Sequence, residues 1–297
     1  MTRITRRIGV ALIFSLFAIP IILLHSCIPP FRTSPKDVDA FFAKHKVAGK
    51  QLRYKTGFRD IHYIQAGDST KPLVLFVHGS PGSLDAFIGF LVDSALLPKA
   101  LLISTDRPGF GYSNFGRAEP SLLKQSEALK PLLVKHHSNR PVILVGHSLG
   151  GPLIAKMAIA YPDLVDGLII VAGSIDPELE PNETWFRAPL ATPFLSWILP
   201  RALRSSNEEI YQLKPELEKM LPDWKKITCP VIIIQGTKDE LVPYENVNFA
   251  KKMLVNARVE YVIKDGMNHF VPWSNPELIR DAILKMVMMK DSVHARH

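Results

Sequence analysis

Val142-Ile143-Leu144-Val145-Gly146-His147-Ser148-Leu149-Gly150-Gly151-Pro152-Leu153-Ile154-Ala155 is the stretch that decides how this chain folds. Four apolar residues, three of them β-branched, predict a short buried strand. A glycine-flanked serine follows, and then a run that opens a helix. This order supplies what an unactivated serine needs to become a nucleophile. Glycines two before and two after Ser148 allow the sharp turn that lifts its hydroxyl clear of a sheet. The helix start aims unpaired N–H groups and the positive end of the dipole at the same spot. G-x-S-x-G alone recurs by chance, and its bland reading is a glycine-rich turn with an incidental serine. Between a buried strand and a helix it reads as a nucleophile elbow.

A nucleophilic serine needs a base, and the base needs an orienting carboxylate. Val231-Ile232-Ile233-Ile234-Gln235 is short, β-branched and uncharged, which predicts a buried parallel strand, and Asp239 lies just beyond it. Acids past the carboxyl end of a central strand stand where open α/β sheets bind ligands. Val259-Glu260-Tyr261-Val262-Ile263 predicts a further strand, and its exit segment Lys264–Phe270 carries His269. Pro272 is expected to keep that segment a loop. Alone, His269 reads as a surface imidazole and Asp239 as a turn residue. Each beyond its own strand and in the order Ser, Asp, His, they read with Ser148 as a catalytic set.

With these residues in view, the chain resembles the α/β-hydrolase superfamily from about Lys50 to the C-terminus, through four ordered motifs. His78-Gly79-Ser80-Pro81-Gly82 follows the strand Leu73–Val77, as the family's oxyanion loop does. Asp106-Arg107-Pro108-Gly109-Phe110-Gly111-Tyr112-Ser113 follows Leu101–Ser104 and resembles the family's D-x-x-G-x-G-x-S segment. The serine elbow and the Asp239 and His269 loops complete the set. The resemblance implies an α/β fold with a mostly parallel sheet of about eight strands, helices on both faces and a small helical cap.

It also implies an oxyanion hole built from the backbone N–H groups of Leu149 and Ser80, since Pro81 has no N–H to give. His78 and His147 are read as hydrogen bonders that fix the loop and the elbow. Asp176, after the strand Gly167–Val171, occupies the alternative acid position of some family members. The aspartate nucleophile of the superfamily's dehalogenases and epoxide hydrolases is absent, because Ser148 stands at the elbow. Ser80 and Leu149 also depart from the proline-iminopeptidase-like pattern.

At 297 residues, 47% hydrophobic and 22% charged, the chain is globular and long enough to bury a core. Its net charge of +8 is diffuse apart from Arg3, Arg6 and Arg7, with no basic–aromatic alternation, so nucleic acid is not an expected partner. No metal-ligand spacing, phosphate-binding loop or dinucleotide fingerprint appears, so neither metal nor cofactor is expected. Two cysteines, Cys27 and Cys229, make no disulfide framework, and Cys229 reads as a small core residue. Oligomeric state is left open.

Ile8–Leu24 is a 17-residue uncharged run behind three arginines, between a signal-peptide core and a membrane span in length. Arginines stay cytoplasmic, so the enzyme body is expected on the other side of the membrane. Leu24-His25-Ser26-Cys27 resembles a bacterial lipoprotein box, with Cys27 as the lipidation site and His25 as a departure from it. An uncleaved signal-anchor and a secreted soluble form are the alternatives.

These observations divide the chain into a signal peptide or anchor over 1–27, a tether and helix over 28–49, hydrolase core over 50–174, helical cap over 175–224, and core again over 225–297. Ile28–Pro35 reads as a stiff, extended tether. Pro181, Pro189, Pro193 and Pro200 are expected to break the cap into short helices. Its apolar residues, Trp185, Phe186, Leu190, Phe194, Leu195, Trp197, Ile198 and Leu199, are expected to pack the cap on the core, against the alternative of a lid lining an acyl pocket or touching lipid. The expected activity is membrane-tethered hydrolysis of a small-molecule or lipid carboxylic ester. Acyl transfer or thioester cleavage by the same residues, and a catalytically silent binding protein, are the alternatives.

Overall fold

The computed structural model describes residues 23, 25–29, 31–57, 59–137 and 140–294. The run Ile8–Leu24, apart from Leu23, and the three N-terminal arginines lie outside the described residues. Among the described residues no helix is long and apolar enough to cross a membrane.

Eight strands form one sheet: β1 Lys50–Lys55, β2 Asp60–Gly67, β3 Leu73–Val77, β4 Leu101–Thr105, β5 Val142–His147, β6 Gly167–Val171, β7 Val231–Gly236 and β8 Val259–Lys264. Their spatial order is β1-β2-β4-β3-β5-β6-β7-β8. β2 runs antiparallel to β1 and β4, and all pairs from β4 to β8 are parallel. Every residue of β3 to β7 is buried, as the uninterrupted apolar runs of strands covered on both faces require.

The helices are α1 Pro35–His45, α2 Leu122–His136, α3 Gly150–Ala160, α4 Thr184–Ala191, α5 Arg201–Met220, α6 Asn246–Met253, α7 Val271–Ser274 and α8 Pro276–His294. Alternation along each strand splits the core in two. Leu73, Leu75 and Val77 of β3 pack with α2 and α3 on one face. Val74 and Phe76 pack on the other with α1, α8 and the 3₁₀ run Leu84–Val92. Helices therefore cover both faces.

Between β6 and β7 the chain forms 3₁₀ turns around α4 and α5. The expectation of short helices holds for α4 alone. From Arg201 to Lys214 no proline or glycine intervenes, and α5 runs for 20 residues, burying Ala202, Ser205, Glu209, Leu213, Leu217 and Met220 at helical spacing. The apolar residues expected to pack the cap are not buried. Trp185, Phe194 and Trp197 are 80%, 87% and 54% exposed, so α5 makes the contact with the core and the aromatic segment before it faces outward. Pro272 does not keep its segment a loop, because it stands in the first turn of α7, where its missing N–H is not needed.

Candidate active site

The three residues of the expected catalytic set leave the sheet at the carboxyl ends of β5, β7 and β8. Ser148 follows β5 with φ of +53°, the left-handed conformation a nucleophile elbow imposes on a residue with a Cβ. Backbone bonds hold the turn: Ser148 N–H donates to Val171 O at 2.9 Å and Gly151 N–H to Ser148 O at 2.8 Å. Its glycines are dictated by contact. A Cβ at Gly146 would lie 2.3 Å from Gly150 O, and one at Gly150 would lie 2.2 Å from Val77 O.

Asp239 and His269 are bonded, Nδ1 donating to Oδ2 at 2.9 Å and facing Oδ1 at 3.1 Å. The carboxylate is itself fixed by the N–H groups of Leu241 at 3.0 Å and Val242 at 2.8 Å, and by Gln235 Nε2 at 3.2 Å. With Nδ1–H committed to Asp239, the neutral imidazole keeps Nε2 as its basic nitrogen. Ser148 and His269 line one cavity of about 660 Å³. No hydrogen bond joins their side chains among the described residues, as is common before substrate draws nucleophile and base together. Asp176 instead caps the 3₁₀ turn Pro177–Leu179, accepting from Glu178 N–H, with no hydrogen bond to His269.

Two further histidines brace the site. His147 donates from Nε2 to His269 O at 2.9 Å, tying the elbow to the histidine loop. Burial first, and then the neighbouring His269, hold its pKa down to about 3, so it is a neutral strut in ordinary buffers. His78 accepts from Arg107 N–H at Nε2, 3.0 Å, which commits Nδ1–H to Gly79 O at 2.7 Å. Burial, reinforced by Arg107, pushes its pKa well below the usual imidazole value. Gly79 in turn abuts the elbow, since a Cβ there would lie 2.9 Å from Ser148 Cβ. The Ser80 and Leu149 amides flank the elbow, and neither donates to another group among the described residues. Ser80 lines the cavity, while the Leu149 side chain is buried in the core. Cys27 is exposed, and Cys229 is half-buried against the core.

Sequence reasoning missed two features. Arg107 and Glu209, 0% and 1% exposed at their side chains, form a two-pronged ion pair at 2.8 and 3.0 Å. Gln125 bridges it, and Arg107 Nη2 also donates to Gly79 O at 3.0 Å, so the pair links cap helix α5 to the oxyanion loop. A charged residue inside the Pro108–Gly109 turn was the available signal. The second is the tether: Pro29, Phe31, Arg32 and Thr33 line the cavity, and no residue of the cap does. Phe31 has φ of +48°, so the tether bends onto the body instead of extending from it.

The fold and the elbow define an α/β hydrolase, and residues 72–194 match the family described as the alpha/beta hydrolase fold. The chain has the α/β-hydrolase fold. An uncharacterized protein of Mycobacterium tuberculosis is 25% identical over 284 residues, covering 80% of this chain and 81% of its own. The mouse mitochondrial palmitoyl-protein thioesterase ABHD10 is 27% identical over 212 residues, or 67% of this chain and 69% of its own. Among solved structures, a candidate lipase of Acinetobacter baumannii AYE superposes with a TM-score of 0.69 at 20% identity, over 86% of this chain and 96% of that one.

Proposed function

We propose that the protein is a serine hydrolase of carboxylic esters, with Ser148, His269 and Asp239 as its catalytic residues and a membrane tether at its N-terminus. The observation that carries the reading is the Asp239–His269 pair and the left-handed Ser148 facing one cavity. In the reaction Ser148 Oγ attacks the acyl carbon as its proton passes to His269 Nε2, and Asp239 stabilises the imidazolium. The Ser80 and Leu149 amides receive the oxyanion, each worth about 10²–10³-fold. The imidazolium then gives its proton to the departing alcohol oxygen. Water repeats the sequence on the acyl-enzyme, releasing the acid and restoring Ser148.

Cleavage of thioesters is a second reading, supported by the thioesterase among the relatives, because the same residues serve a sulfur leaving group. Transfer of the acyl group to an alcohol differs only in the second nucleophile. The membrane tether is supported by the run Ile8–Leu24 and the arginines before it.

Fluorophosphonate labelling and a paired panel of oxygen and thio esters test the proposal. Labelling is expected at Ser148, and Ser148→Ala should lower kcat on the order of 10⁶-fold while leaving the fold intact. Near-normal turnover by a folded Ser148→Ala protein would remove Ser148 from the mechanism. A wild-type chain that binds ligands but neither labels nor turns over would point to a silent hydrolase fold.

A further inference from the structure

The cavity at Ser148 has a wall that the cap would supply only on the alternative reading of it as a lid. No cap residue lines it; Pro29, Phe31, Arg32 and Thr33 do, facing Leu241, Phe270 and Trp273. The tether is held there by two clamps. The Arg32 guanidinium lies between the rings of Tyr112 and Phe115, 4.5 and 4.3 Å from their centroids, and its Nη1 donates to Gly111 O at 2.8 Å. One residue on, Thr33 N–H donates to the Asp85 carboxylate, and Asp85 itself lines the cavity. Beyond Thr33 the chain cannot slide, because Ser34 caps α1 and Pro35 opens it. Next to the clamps Phe31 lines the cavity, in a left-handed conformation that aromatic residues rarely adopt. A spacer serving only to connect an anchor to a body needs none of these contacts.

The wall faces apolar groups across the cavity. Leu241, Phe270 and Trp273 are 63%, 53% and 57% exposed, and none of the three carries a charge. An alkyl chain laid between such surfaces gains about fourfold in affinity for each methylene it buries.

We infer that Pro29, Phe31, Arg32 and Thr33 form the specificity wall of the active site, seating the substrate's acyl chain against Phe31, with Arg32 as the positioning residue that holds the wall closed. This rests on the reading of Ser148 as the nucleophile. Opening the wall exposes the chain and leaves the reacting carbonyl in place, so the loss grows with acyl length and falls on KM more than on kcat.

The experiment uses the full chain in detergent, with p-nitrophenyl acetate, butyrate and octanoate as probes, and with wild type, Arg32→Ala, Arg32→Lys and Asp85→Asn. In Arg32→Ala the ratio of octanoate to acetate kcat/KM is expected to fall about four- to fifteen-fold, the equivalent of one or two methylenes. Asp85→Asn keeps an acceptor oxygen for Thr33 N–H but removes its charge, and should move the ratio the same way by less. Arg32→Lys keeps a cation over the rings and should restore part of the ratio. Amide exchange at Thr33 should quicken in Arg32→Ala, a readout that needs no turnover. An unchanged ratio in a folded Arg32→Ala protein overturns the inference, as does an equal loss for all three esters. Failure of the wild type to label with fluorophosphonate is a different result, because it overturns the nucleophile reading itself.

Discussion

At the scale of single residues, the site is a chain of committed protons. Each histidine near Ser148 has its tautomer set by a partner that can only accept or only donate. His269 is oriented by Asp239, and His147 donates to the carbonyl of His269. Replacing Asp239 by Asn would present an amide to Nδ1, favour the wrong tautomer and cost about 10⁴-fold in kcat. Asp176→Asn should cost little, since that carboxylate bonds Glu178 N–H and not the histidine. Steady-state rates of the two variants check this, and the reverse ranking would move the acid to the loop after β6. His147 makes a separate prediction about stability. Its folded pKa of about 3 lies below that of an unfolded imidazole, so the unfolded chain takes up the proton first. The contribution is complete above about pH 6.5 and drains away as pH falls towards 3. Urea unfolding should therefore lose about 2 kcal/mol more between pH 7 and pH 5 in the wild type than in His147→Gln. Equal pH slopes would mean that His147 is not held neutral.

At the scale of elements, the parallel strands bring Ser148, Asp239 and His269 to one edge of the sheet, and two cross-links, His147 to the His269 carbonyl and Arg107 to Glu209, hold the loops there. The more buried is Arg107–Glu209, which joins the loop after β4 to α5 and reaches Gly79 O in the oxyanion loop. Burial raises the Glu209 carboxyl pKa, and Arg107 opposes that shift. Removing one charge strands the other in a dry interior. Glu209→Gln should thus destabilise by about 3–5 kcal/mol, measured by chemical denaturation, and the double change to methionine by less than the two single changes combined. A Glu209→Gln protein within about 1 kcal/mol of wild type would show that water reaches the pair.

At the scale of the whole molecule, the tether joins the cavity at Pro29 to the N-terminal run by a short stretch of chain. Four residues separate Leu24 from Pro29, five steps that span at most about 18 Å, so whatever holds the end of the run holds the cavity mouth near it. On the same side His25 reaches the cap, donating to Ile198 O at 3.1 Å. The exposed Trp185, Phe194 and Trp197 give the cap an outward apolar surface. Fractionation and intact mass separate the two forms of anchor. If Cys27 carries acyl chains, the mature mass begins there and Cys27→Ser releases or mislocalises the protein. If the run stays as a signal-anchor, the full-length mass is retained and Cys27→Ser changes nothing. Full-length chain in a salt-washed soluble cytoplasmic fraction would refute both.

The sequence by itself determined what is local. Buried strands are written as four or five consecutive apolar residues bounded by Gly, Pro or charge, and β3 and β6 occupy the runs expected of them. The elbow is equally local, because Gly146 and Gly150 are demanded by atoms within a few residues or on the adjoining strand. Since parallel strands end on a common edge, three residues each placed just past its own strand were legible as a group before any geometry. Tertiary structure alone decided the rest. Arg107 meets Glu209 102 positions along the chain, and His147 meets the His269 carbonyl across 122. No periodicity encodes such a pairing, because either partner taken alone reads as a surface charge or a turn imidazole. The same holds for the cap aromatics and the tether. Apolar pattern signals that a residue can be buried, but the available surface decides whether it is: α5 occupies the core-facing position in the cap, and Arg32 finds its two rings only after the loop from Gly111 to Phe115 has folded.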